Sequence, residues 1–273
     1  MALITNYIGV LESQIDKGQD YVLRGKKRNG NVWFAVFDGH GGNAVIDKLR
    51  SLDFNIIMEK PNPAHEIQKI ITDMGDTFKS GSTMSIIIIS DTTIKCFWKG
   101  DSTIKIYKNN NLHVTCDNHD SVNQREMARI EKLNIPTKMD WCMEILGKTR
   151  ITMKPSPYFM LSAREGVTDQ TNMTNCLGHN GVLGDFIEEK TIELTPDDDF
   201  AVIVASDGLW DIVSPNDTDI PYMDCHELTE FAKERWMQEW CYEYEDHPTQ
   251  MTKLGKGDDI AVGIWKGKFI PLD

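Results

Sequence analysis

The sequence predicts a protein of the α+β class that is built mainly on antiparallel strands. Four short apolar runs follow one another between residues 84 and 115, and only short polar turns separate them, as is typical of antiparallel strands. Asn29-Gly30 lies between two further apolar runs and is a strong β-hairpin signal. Helical spacing of apolar residues is confined to separate stretches of the chain.

The predicted elements follow in order along the chain. Strands are predicted at 1–10, 21–27, 31–37, 84–90, 93–98, 103–108, 112–115, 158–162, 200–205 and 260–265, and helices at 44–52, 63–78, 121–133 and 225–244. Each strand is a short apolar run between turn residues, and each helix repeats its apolar residues at helical spacing. Asn43 is a candidate N-cap for the first helix. Prolines and glycines predict mostly irregular structure over 134–189.

The last predicted helix carries an unusual number of aromatic residues. These are Trp236, Trp240, Tyr242 and Tyr244. Packing of an aromatic stripe in the core explains this pattern better than a cofactor site does.

Composition narrows the possible functions. The chain has 273 residues, 40% hydrophobic and 26% charged, and no repeat or linker divides it, so we predict one domain over 1–273. A net charge of −13 argues against a nucleic-acid partner, and no apolar run has the length of a membrane span. The six cysteines are scattered, which indicates reduced thiols and neither a disulfide framework nor a zinc site. We expect an intracellular monomer, cytoplasmic or nuclear.

Aspartates stand at the boundaries of the predicted strands. Asp38 follows the run 34–37, Asp207 follows the run 200–205, and Asp258 precedes the run 260–265. Asp101 lies between two strands of the predicted meander, and Asp20 is a fifth candidate. Carboxylates on neighbouring strand ends repel one another unless a cation lies between them. Oxygen ligands without a histidine or cysteine cluster favour Mg²⁺ or Mn²⁺ over zinc.

Simpler interpretations apply to each motif taken singly. Every Asp-Gly pair is compatible with an isolated turn, and only their joint occurrence at strand boundaries favours a metal site. His40 is compatible with a general acid, a metal ligand or a hydrogen-bonded turn residue. A serine hydrolase built on Ser206 or Ser82 with His40 is not supported, because the sequence has no Gly-x-Ser-x-Gly elbow.

Five motifs occur in a characteristic order along the chain. They are Phe37-Asp38-Gly39-His40-Gly41-Gly42, Gly81-Ser82-Thr83, Gly100-Asp101-Ser102, Ala205-Ser206-Asp207-Gly208-Leu209-Trp210-Asp211 and Asp258-Asp259-Ile260-Ala261-Val262. Over nearly its whole length the chain resembles the metal-dependent serine/threonine protein phosphatases of the 2C type. The resemblance implies a four-layer αββα sandwich, two antiparallel sheets flanked by helices, with a dinuclear metal site at one edge.

The resemblance also implies a role for each matching residue. The implied metal-site residues are Asp38, Gly39, Asp207, Asp258, Asp20, Asp101 and Asp211. Asp38 corresponds to the carboxylate that bridges two Mg²⁺ or Mn²⁺ ions, and the pair Asp101 and Asp211 to the ligands of a possible third ion. Gln19 and Asp20 correspond to residues that hold metal-bound waters. The implied reaction is hydrolysis of phosphoserine or phosphothreonine in a phosphoprotein by a metal-activated water, with His40 as the general acid.

The chain departs from the family pattern where the phosphate is bound. The phosphate-binding arginine would fall at Ile15, and Lys17 is a candidate substitute, although lysine lacks the bidentate fork of arginine. A later motif of the family, Ser-Arg-x-Leu-Gly-Asp, appears as 174–179 with Asn175 in place of arginine. Residues 134–189, which correspond to the family's flap, depart most. These departures leave an alternative, a weak or inactive pseudophosphatase that acts as a partner-binding scaffold.

Overall fold

Two antiparallel sheets form the centre of the computed structural model, which describes residues 2–139, 142–145, 151–152, 157–164, 167–214, 216–244, 247–253 and 257–270. The helices are α1 (Ala44–Arg50), α2 (Phe54–Met58), α3 (Pro63–Thr72), α4 (Gln124–Lys132), α5 (Asp207–Trp210) and α6 (Cys225–Trp236). The strands are β1 (Ala2–Ser13), β2 (Asp20–Lys26), β3 (Val32–Gly41), β4 (Ser80–Ser82), β5 (Met84–Ile89), β6 (Thr93–Lys99), β7 (Ile104–Lys108), β8 (Asn111–Thr115), β9 (Thr137–Met139), β10 (Cys142–Ile145), β11 (Ile151–Thr152), β12 (Pro157–Arg164), β13 (Val167–Thr171), β14 (Leu177–Gly178), β15 (Glu188–Glu193), β16 (Asp199–Ala205), β17 (Glu239–Tyr244), β18 (His247–Lys253) and β19 (Ile260–Ile270).

The two main sheets have five and seven strands. The five-stranded sheet has the order β1-β19-β16-β7-β8. The seven-stranded sheet has the order β14-β4-β3-β5-β6-β15, and β2 also pairs with β3. Two smaller sheets have the orders β13-β12-β9 and β11-β10-β17-β18.

Alternating side chains of the strands build the layers. In β3, Phe34 and Val36 face the five-stranded sheet and pack in one apolar cluster with Trp265 of β19. Trp33 and Phe37, which alternate with them, face the other way and pack with α1, α2 and α3, because successive side chains of a strand point to opposite faces. The outer face of the five-stranded sheet packs against α6. The order helix, sheet, sheet, helix confirms the predicted αββα arrangement.

The four strands between residues 84 and 115 belong to different sheets, so the prediction of one meander was wrong. β5 pairs with β6 in the seven-stranded sheet, whereas β7 pairs with β8 in the five-stranded sheet. The chain passes between the sheets at Gly100-Asp101. Gly100 has a φ of 103°, and a Cβ atom there would lie 2.8 Å from the Thr83 Cβ, so the tight turn requires glycine. It places Asp101 where the two sheets meet.

The predicted helix 225–244 is correct only in its first half. α6 begins with an Asp224 capping box and ends at Trp236, which packs in the core. Residues 239–244 form β17, which pairs with β10 and β18. Trp240, Tyr242 and Tyr244 alternate along this segment, and both the period of two and the aromatic residue type favour a strand.

The remaining differences are local. The described parts of 134–189 contain the strands β9 to β14, which the prediction of irregular structure missed apart from the strand at 158–162, now within β12. α3 ends at Thr72 and not at residue 78, before Gly75 with its φ of 91°. α2, α5, β4, β15 and β18 were not predicted. No helix of the described residues has the length and apolar character needed to cross a membrane.

Candidate metal centre

A hairpin brings the first two predicted metal-site residues together. Asp20 of β2 lies directly opposite Asp38 of β3. β3 continues beyond Asp38 to Gly41, so the prediction that the strand ends at residue 37 was wrong. The extension exists because Gly39, His40 and Gly41 pair with the short strand β4.

The neighbouring strands β16 and β19 bring in the next two. Asp207 follows β16 by two residues and Asp258 precedes β19 by two. The ends of these strands are joined at Ser206, whose N–H donates to the Ala261 carbonyl (3.0 Å) and whose Oγ accepts from the Ala261 N–H (3.0 Å). Ser206 Oγ also donates to Asp20 Oδ2 at 2.7 Å. A serine considered for hydrolase chemistry thus links the two sheets through the Asp20 carboxylate.

The predicted carboxylates are close enough to perturb one another. Six aspartates form this group, which we call the aspartate cluster: Asp20, Asp38, Asp101, Asp207, Asp211 and Asp258. Burial, followed by repulsion from neighbouring carboxylates, raises the pKa of Asp38 well above its usual range and that of Asp258 to about 7.

The donor set of the cluster fits hard divalent cations. All its side-chain ligands are carboxylate oxygens, which suit Mg²⁺ and Mn²⁺, and burial raises the pKa of each of them. No three carboxylates of the described residues have oxygens all within 4.8 Å of one another.

Asp259, next to the predicted ligand Asp258, has a structural role that the sequence did not indicate. Its carboxylate is 4% exposed and accepts three backbone N–H groups, from Ile15 (2.7 Å), Asp16 (2.8 Å) and Gln19 (2.9 Å). These bonds fix the loop between β1 and β2, which leads directly into Asp20. No sequence signal separates the two adjacent aspartates, because the distinction depends on contacts with residues more than 200 positions away.

The loop between β1 and β2 carries three residues singled out in the sequence. Gln19 is buried and donates from Nε2 to the Gly41 carbonyl (3.1 Å) and to Asn43 Oδ1 (2.7 Å). Asn43 makes no side-chain cap bond to α1, contrary to the sequence-based interpretation. Ile15 packs against the α6 core. Lys17 is exposed, and its positive charge partly opposes the burial that raises the pKa of Asp207 and Asp258.

His40 lies two residues beyond Asp38 and stacks on a second histidine. Its ring centroid is 5.0 Å from that of His179, with 25° between the planes. Burial, and then His179, lowers the pKa of His40 to about 3, so the imidazole is uncharged at neutral pH. His179 stands where the family motif has aspartate, and no sequence pattern indicates a role for it.

A family model and a curated relative both match this chain as a protein phosphatase 2C. The family model "Protein phosphatase 2C" matches residues 18–150. The rice protein "Probable protein phosphatase 2C 54" is 26% identical over 191 residues, which cover 67% of this chain but only 49% of the rice protein. This chain therefore spans about half the length of that relative.

Two solved structures show the same fold. A serine-threonine phosphatase 2C from Toxoplasma gondii matches with a TM-score of 0.62 and 15% identity over 98% of this chain and 95% of that one. The catalytic domain of the serine threonine protein phosphatase PstP, in complex with two manganese ions, matches with a TM-score of 0.57 and 15% identity over 98% and 99%.

Proposed function

Because the chain belongs to the protein phosphatase 2C family, we propose that it hydrolyses phosphoserine and phosphothreonine in phosphoproteins with Mg²⁺ or Mn²⁺ bound at the aspartate cluster. The observation that carries the proposal is the convergence of six aspartates from both sheets, with raised pKa values and only oxygen donors. A scaffold that only binds partners has no need of mutually repelling buried carboxylates.

Each residue at the aspartate cluster has a proposed role in holding an ion or a water ligand. Asp38, with the Gly39 carbonyl, would hold two ions, and Asp207 and Asp258 would complete the first site. Gln19 and Asp20 would hold water ligands, and the pair Asp101 and Asp211 would hold a third, weaker ion. When bound, the ions supply Lewis-acid chemistry, since they lower the pKa of water and screen the charge of the phosphate.

The proposal predicts strictly metal-dependent activity of the purified chain. Hydrolysis of p-nitrophenyl phosphate is expected with Mg²⁺ or Mn²⁺ and none with EDTA, and restoring the metal should restore the rate. Binding of the metal ion to the folded chain would also raise Tm. At an ion concentration of 100 Kd, the free energy of unfolding would rise by about 2.7 kcal/mol. A folded chain without activity under either metal would favour the pseudophosphatase alternative, for which the supporting observation is that Ile15 is partly buried against the apolar cluster around α6.

His40 is proposed as the general acid because it lies on the same face of β3 as Asp38, two residues away. A bound phosphate would favour its charged form and oppose the effect of burial. We expect His40→Ala to reduce kcat on a phosphoserine peptide by about 10²- to 10⁴-fold. The loss on p-nitrophenyl phosphate should be much smaller, because p-nitrophenolate leaves without a proton. Equal losses on both substrates would contradict the acid role.

Lys17 is proposed to contact the phosphate in place of the missing arginine. Its charge acts on Asp207 and Asp258 from an exposed position in the loop between β1 and β2. Lys17→Ala should raise KM for a phosphopeptide by up to about fivefold, the upper end of the range for one exposed charge interaction, whereas Lys17→Arg should not. Lys26→Ala, an exposed lysine of β2, is the control, and a similar KM change in it would refute a specific contact.

A further inference from the structure

Three side chains of metal-binding type converge beside the aspartate cluster. His40 lies in β3, Cys176 immediately precedes β14, and His179 immediately follows it. One ligand atom from each residue, a ring nitrogen or the sulfur, lies within 4.8 Å of the other two. No spacing in the sequence indicates this group, because His40 is more than 130 positions from the other two.

A glycine provides the room between the two imidazoles. Gly81 of β4 pairs with His40 on one side and with Gly178 on the other. A Cβ atom at Gly81 would overlap His40 Nε2 and would lie 2.7 Å from His179 Nε2. Both Nε2 atoms therefore lie close to the backbone of Gly81, where no side chain separates them.

The protonation of the two rings suits a metal ligand. His179 Nδ1 is 2.6 Å from the Phe78 carbonyl oxygen. A carbonyl can only accept, so Nδ1 carries the proton and Nε2 carries the lone pair. A backbone carbonyl on the far nitrogen is the usual support of a metal-binding histidine. Both ring nitrogens of His40 are buried, and within the described residues neither makes a hydrogen bond.

We propose that His40, Cys176 and His179 bind one Zn²⁺ ion, separately from the oxygen-lined aspartate cluster. Two imidazoles and a thiolate suit zinc, which commonly takes three protein ligands and leaves a fourth position open. Mg²⁺ prefers oxygen ligands and does not compete for such a donor set. Burial raises the pKa of the Cys176 thiol to about 12, so the ion must displace the thiol proton, which passes to solvent.

Zinc at this site has a consequence for activity that rests on the phosphatase proposal. An Nε2 atom bound to Zn²⁺ cannot carry the proton that the leaving group needs. Zn²⁺ is therefore expected to inhibit hydrolysis of the phosphoserine peptide while Mg²⁺ remains in the aspartate cluster. Binding at the site does not depend on that activity and is measured independently of it.

The direct test uses Co²⁺ as a spectroscopic probe for the zinc site in the full chain. Excess Mg²⁺ is present throughout to occupy the oxygen ligands. A thiolate-to-cobalt charge-transfer band in the near ultraviolet is expected, and one equivalent of Zn²⁺ should remove it. Cys176→Ala should abolish the band and weaken Zn²⁺ binding at least about 100-fold, since even residues that only support a ligand cost up to that much.

A second buried cysteine provides the matched control. Cys225 lies at the start of α6, outside the group, and Cys225→Ala should keep both the band and the affinity. Circular dichroism shows whether Cys176→Ala folds. If it does not fold, His179→Ala serves as an independent variant. Absence of the band in the wild-type chain, or equal Zn²⁺ affinity in the Cys176 and Cys225 variants, would overturn the proposal.

Discussion

Asp38→Asn is expected to reduce kcat on p-nitrophenyl phosphate by at least about 10³-fold, because it removes the carboxylate proposed to hold both ions, and bound ions supply several kcal/mol of transition-state stabilisation. The asparagine side chain would keep the shape of the aspartate that it replaces. Folding should therefore persist.

The stability of the same variant separates metal binding from chemistry. Burial, followed by repulsion from neighbouring carboxylates, raises the pKa of Asp38, which means that its charge destabilises the metal-free fold. In EDTA, Asp38→Asn should accordingly have a higher Tm than the wild type, and its Tm should no longer rise with Mg²⁺. Asp91→Asn, in the exposed turn between β5 and β6, is the control and should change neither property. Wild-type activity in Asp38→Asn would exclude the two-ion assignment.

Asp259→Ala is expected to cause the largest loss of stability among substitutions near the site. The change leaves three backbone N–H groups of the loop between β1 and β2 without their acceptor. Hydrogen bonds to a charged group contribute about 1.5–3 kcal/mol each, and buried unsatisfied donors add a penalty. We expect the free energy of unfolding, measured with urea, to fall by about 3 kcal/mol or more.

The Asp259→Asn variant should show an intermediate effect for a geometric reason. Oδ1 of Asp259 accepts from Ile15 and Asp16, and Oδ2 accepts from Gln19. An asparagine side chain in this position could keep the first two bonds, but its NH₂ group would face the Gln19 N–H. Because Gln19 precedes Asp20, metal affinity should decline in the order wild type, Asp259→Asn, Asp259→Ala. Equal stability of all three proteins would show that the loop does not depend on this carboxylate.

Local sequence patterns predicted most of the central fold. The Asn29-Gly30 hairpin, β5 to β8, β16 and β19 all appear where apolar runs between turn residues placed them. They succeed because a buried strand needs an apolar run, and a tight turn needs particular residues. The assignment of β7 to the same meander as β5 and β6 failed, since sheet membership depends on the turn at Gly100 and on packing across the core.

The candidate site divides in the same way. Asp38, Asp207 and Asp258 were recognisable because each borders an apolar strand, and the structure brings them together. The roles of Asp259 and His179 were not recognisable from the sequence, because the residues that they contact lie far away in the sequence. The second half of the helix predicted at 225–244 failed for a related reason, since pairing with β10 decides the conformation of an aromatic segment that fits both patterns.

The aspartate cluster takes its members from both sheets, and this couples the site to the interior of the protein. Asp20 and Asp38 move with the seven-stranded sheet, and Asp207 and Asp258 with the strands of the other. The separation of the carboxylates is thus set by how the two sheets pack, through residues such as Phe34 and Trp265. Bound ions would therefore hold the two sheets together. A substitution that changes side-chain volume in the core between the sheets would alter the separation of the carboxylates, and hence catalysis, without replacing any ligand.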